Sequence, residues 1–72
     1  MENYSVMEIV DRVMDALMSD PRTENSMIDV SNDRGIVTLE GTVSKEDTRQ
    51  AAEQIAKQQE GVVTVINAIK VS

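Results

Sequence analysis

The chain has 72 residues, a net charge of −6, one aromatic residue (Tyr4), and neither cysteine nor histidine. That length bounds it to one small domain, in which only about 60% of the unfolded surface is buried and each core position carries weight. Without Cys or His it has no disulfide or thiolate metal site, and it lacks the commonest general base and the commonest transition-metal ligand.

Ser5 and Glu8 have the S-x-x-E spacing of a capping box, with Tyr4 and Ile9 at the hydrophobic-staple positions. Val6, Ile9, Val10, Val13, Met14 and Leu17 then recur at the i, i+3, i+4, i+7 spacing of a buried helical face. Glu8, Asp11, Arg12 and Asp15 take the wet side, and Asp20-Pro21 stops the helix, because a residue before proline avoids helical geometry. Residues 22–26 read as a polar loop. Ile28 and Val30 alternate with Asp29 as a short strand, and Asn32-Asp33-Arg34-Gly35 reads as a turn with Gly35 suited to positive φ.

A second strand is expected from Ile36 to about Val43, with Val37, Leu39 and Val43 toward the core and Ile36, Thr38, Glu40 and Thr42 on the other face. Gly41 interrupts the core face, where it marks either a close helix approach or a bulge. Ser44 is the expected cap of a second helix, with Asp47 at the reciprocal position and Ala51, Ala52, Ile55 and Ala56 as the buried stripe. Glu53 and Lys57 form a favourable i, i+4 pair, and Gly61 is the expected terminator. The last strand runs from Val62 or Val63 to Val71, with Val65, Asn67, Ile69 and Val71 on one face and Ile66 and Ala68 on the other.

The expected fold is therefore α+β: a two-layer α-β-β-α-β arrangement with a small three-stranded mixed sheet and two helices packed on one face. It forms one domain over 1–72 with a core from about 6 to 71. The second face of such a sheet is uncovered, and Ile36, Ile66 and Ala68 are the candidate interaction surface on it.

These elements resemble the BON (bacterial OsmY and nodulation) domain over about Val6 to Val71. The matching residues are Ile9, Val13 and Leu17, then Asp20-Pro21, then Ile28-Asp29-Val30. They continue with the block from Gly35 to Ser44, then Arg49, Ala52, Ile55 and Ala56, and the ending Gly61-Val62, Val65, Asn67, Ile69 and Val71. The most specific parts are the G-x-V-x-L-x-G-x-V block and the G-V-x-x-V-x-N-x-I-x-V ending. The resemblance implies a non-catalytic module of bacterial envelope, osmotic-stress or transport proteins. Binding to phospholipid surfaces is proposed for that family, and some relatives sense potassium.

No catalytic residue is expected. Ser, Thr and Lys are present without a histidine to activate them, and Asp11 and Asp15, four apart on one helical face, read as a solvated acidic surface. Counting from Asp29, carboxylates or hydroxyls fall at positions 1, 3, 5 and 12 of an EF-hand-like loop, but position 6 is Arg34 instead of glycine. Asp29 and Asp33 remain the weak candidates for a looser cation site. Asn67, on the core face, is expected to be a structural amide, because a buried amide without partners costs about 1–3 kcal/mol.

No cofactor is expected, and nucleic acid is not an expected partner, because the overall field opposes phosphate backbones. No run of about 18 apolar residues exists to cross a membrane. Met1-Glu2-Asn3-Tyr4 is unlike a secretory signal, so a cytoplasmic location is expected if Met1 is the native start, although the resembled family is often periplasmic or envelope-associated. The functional expectation is a binding module for a protein partner or for itself, with phospholipid binding and potassium or calcium sensing as alternatives.

Overall fold

Helix α1 (Val6–Ser19) buries Ile9, Val13 and Leu17, with Ala16 partly buried beside them. The computed structural model describes residues 6–72, with side chains from Glu8 onward, so the Ser5 capping box and the Tyr4 staple lie outside the described residues. Met14 does not join the buried stripe as expected and is 38% exposed. Each helical step turns about 100°, which carries Met14 from Val13 past the edge of the buried stripe.

The helix ends at Asp20-Pro21 as expected, but the following segment is more than a polar loop. Thr23 is buried, and its hydroxyl donates to the Leu17 carbonyl, one of the acceptors that a helix end leaves without an intrahelical partner. The Asp20 carbonyl accepts from the Thr23 and Glu24 amides at 3.0 and 2.8 Å.

Strand β1 (Ile28–Asp33) pairs antiparallel with β2 (Ile36–Val43), from Ile28 opposite Gly41 to Asp33 opposite Ile36. The connection is therefore the two residues Arg34 and Gly35, one position later than the expected turn. Both have positive φ, 56° and 89°, as the hairpin loops that match strand twist require. Glycine at 35 has a second reason. A Cβ there would lie 2.6 Å from Val63 Cγ2, and the Gly35 carbonyl accepts from the Val63 and Thr64 amides at 2.7 and 3.2 Å.

Val37, Leu39 and Val43 are buried as expected. Gly41 marks neither a bulge nor a helix contact: the register is unbroken, and a Cβ on it would meet the Met27 carbonyl oxygen at 2.7 Å. It is the entry to β1 that approaches closely.

Helix α2 (Glu46–Lys57) buries Ala51, Ala52, Ile55 and Ala56. Ser44 is not its cap. Lys45 holds the N-cap position with extended backbone and no side-chain cap bond, and Glu46 and Asp47 in the first turn complement the positive helix end instead. The C-cap is Gln58, earlier than Gly61, because the Gln58 and Gln59 amides turn to the Ile55 and Ala56 carbonyls in a tightened last turn. Gly61, at φ 94°, shapes the loop that follows.

Strand β3 (Thr64–Val71) then pairs parallel with β2, from Ile36 opposite Thr64 to Val43 opposite Val71. The sheet order is β1-β2-β3, with both helices contributing to one apolar core on the side of Val37, Leu39 and Ile69. This is the α+β, α-β-β-α-β mixed-sheet architecture expected from the sequence.

Candidate functional site

The register sorts the sheet residues by face. Asp29, Ser31 and Asp33 of β1, Ile36, Thr38, Glu40 and Thr42 of β2, and Thr64, Ile66, Ala68 and Lys70 of β3 share the side away from the helices. Ile36 is 39% exposed, Ile66 is 51% exposed, and Ala68 is also exposed. Ile66 is paired with Thr38, so the two isoleucines meet diagonally across neighbouring strands, and Ala68 extends the apolar strip along β3. The structure thus brings the three expected surface residues onto one face.

Asp29 stands directly opposite Glu40 on the same face. Like charges in that position repel and weaken the pairing. Together with Asp33 they give the β1 side of the face a negative field, while Lys70 stands on the far strand. Asp29 and Asp33 are not brought together: they lie four residues apart along one strand, about 13 Å at the usual rise per residue. The flanks of this loop are strands, so the EF-hand spacing has no helix-loop-helix frame. Among the described residues no group of three or more acidic side chains is placed to hold a metal ion. Asp11 and Asp15 border a broad open depression together with Glu8, Arg12, Ser19 and Gln59.

Asn67 is a structural tie, as its position on the core face suggested. Its amide nitrogen donates to the Arg49 carbonyl at 3.0 Å and to Glu53 Oε1 at 3.2 Å, and its Oδ1 accepts from the Ile69 amide at 3.2 Å. Arg49 returns the link, with Nε donating to the Ile69 carbonyl at 3.1 Å and Nη1 to Glu46 at 3.0 Å. Lys57 and Asn67 together hold the Glu53 carboxyl below its ordinary range, and Glu53 pairs with Lys57 at 3.0 Å. After α1, the Arg22 guanidinium and amide hold Asp20 at about 2.

Sequence reasoning missed a second exposed apolar region. A groove of about 310 Å³ runs between α1 and the entry to β1, lined by Met14, Leu17, Met18, Glu24, Met27, Ile28 and Asp29 among others. Met18 and Met27 are 65% and 88% exposed. The signal available in the sequence was Met14 and Met18, four apart on α1, with Met27 just ahead of β1.

A small α+β fold whose family-typical residues are turn glycines, core aliphatics and one structural amide, with one sheet face that neither helix covers among the described residues, is a binding module in form. The chain belongs to the BON domain family, whose profile matches residues 5–72, nearly its whole length. That family consists of non-catalytic, binding-type modules. The comparison with curated proteins gives no match.

Proposed function

We infer that this domain is a protein-interaction module that uses the uncovered face of its sheet, in the stress- or transport-related bacterial setting that BON domains imply. The observation that carries this reading is the half-exposed strip of Ile36, Ile66 and Ala68 on a face that neither helix covers. Clustered apolar side chains on a surface gain free energy when a partner removes them from water. Asp29, Asp33 and Glu40 beside the strip favour a partner with complementary positive charge. The same carboxylates, with a net charge of −6, disfavour anionic phospholipid.

The test is Ile66→Lys, read by sedimentation velocity across a dilution series and by affinity capture of partner proteins. Loss of dimer or of a captured protein, with an unchanged far-ultraviolet circular dichroism spectrum, supports the reading and tells self-association from a foreign partner. Association that survives Ile66→Lys at full strength would move the contact to another surface.

A further inference from the structure

The methionine-lined groove lies on the helix side of β1, and Asp29, which the register places on the uncovered sheet face, stands at the strand edge where the two surfaces meet. Its floor is Leu17, buried, and Ile28, partly buried, and its walls are Met14 and Met18 from α1 and Met27 from the entry to β1. A volume of about 310 Å³ is at the small end of ligand-binding pockets, which run from about 300 to 1,000 Å³. Methionine side chains are unbranched and polarizable, so they mould to apolar groups of differing shape. The two charged residues on the lining, Glu24 and Asp29, are both acidic.

Charge decides among the occupants. A second copy of this chain brings another net −6, and an anionic membrane surface brings phosphates, so both meet repulsion at this rim. We propose that the groove between α1 and β1 docks a segment of a partner protein in which apolar side chains alternate with lysine or arginine. The apolar groups seat on the methionines, a cation pairs with Glu24 at the rim, and cations on the alternate side of the extended segment face Asp29 across the β1 edge. The site lies beside β1, an edge strand of the sheet. An extended segment laid there gains main-chain hydrogen bonds as well as side-chain pockets. Gly41 shapes this wall, since its lack of a Cβ lets the Met27 backbone pass close over β2.

The experiment uses the whole chain with 13C-labelled methionine methyl groups. It is titrated with a short synthetic peptide of alternating leucine and lysine, a leucine–glutamate counterpart, and phosphatidylglycerol–phosphatidylethanolamine vesicles. The Met14, Met18 and Met27 methyl signals should shift with the lysine peptide and stay in place with the glutamate peptide. The double variant Met18→Gln/Met27→Gln should weaken binding about tenfold, and Glu24→Gln about threefold. All three positions are exposed, so these variants should keep the wild-type circular dichroism spectrum. Equal shifts with both peptides, shifts produced by vesicles alone, or shifts that appear only as the protein is concentrated would each overturn the proposal. So would peptide shifts confined to the amides of Ile36 and Ile66, an outcome that favours the sheet-face reading instead.

Discussion

The seam between α2 and β3 and the seam between α1 and β1 join helix to sheet in different ways. At α2–β3, small side chains (Ala52, Ala56) permit close approach, and Asn67 and Arg49 tie the two backbones by hydrogen bonds at 3.0 and 3.1 Å. At α1–β1, Leu17 and Ile28 meet at the base, and the rim is methionine: Met14, Met18 and Met27. Directional polar ties hold one geometry, whereas methionine tolerates several. Polar ties thus fix the C-terminal half of the fold, whereas the methionine rim leaves the proposed groove beside α1 adaptable.

The largest expected effect tests what both seams share. Leu39 is fully buried in the cluster to which both helices contribute, so Leu39→Ala should cost about 2–5 kcal/mol, a large part of the stability of so small a domain. Urea denaturation would measure it. A loss below 1 kcal/mol, on the order of an exposed site, would mean that the two seams do not rest on a common core.

Next comes the polar seam alone. Asn67→Ala leaves the Arg49 carbonyl and the Glu53 carboxylate without their shared donor and should cost about 1–3 kcal/mol. Amide hydrogen exchange should accelerate in α2 and β3 more than in α1. Equal acceleration everywhere would remove the distinction between the seams. By contrast, Met18→Gln should change stability by no more than about 0.5 kcal/mol, as expected of an exposed position. A larger loss in thermal melting would show that the methionine rim is structural.

The smallest effect is electrostatic and involves Asp20, just after α1, and Glu53 on α2. Asp20 and Glu53 both have carboxyls held below their ordinary values by hydrogen-bonded cations or amides. A lowered folded pKa contributes stability that is present above the unfolded value and lost as pH falls through the folded one. For Asp20 the window runs from 3.8 down to about 2. Melting temperature should fall as pH drops through that range, and Asp20→Asn should flatten part of the fall. Asp20 is only partly exposed, but its partner Arg22 is exposed and the pair is screened by solvent, so the change should be small. An identical pH profile in the variant would show that the Arg22 pairing does not contribute in solution.

Much of this was legible in the residues. Period 3.6 in Ile9, Val13 and Leu17, and period 2 in Val37 and Leu39, report directly which face is buried, because the backbone sets those periods locally. The apolar identity of Ile36, Ile66 and Ala68 on the uncovered face followed from the same alternation. The local rules failed where the packed backbone chose among neighbouring candidates or brought a separate segment close. Lys45 displaced Ser44 as the cap, Met27 replaced a helix as the reason for Gly41, and Thr23 became a buried cap inside an apparently polar loop.

Spacing along single segments sufficed for the order of elements, for the family and for the centre of each core stripe, but not for its margins, where Met14 and Val71 are 38% and 42% exposed. Tertiary structure decided the register of β2 against its two neighbours, the reach of Asn67 to the Arg49 backbone, and the meeting of Met14 and Met18 with Met27 in one groove. Those features join residues from separate segments. Their positions are set by how helices and sheet pack, which no local periodicity encodes.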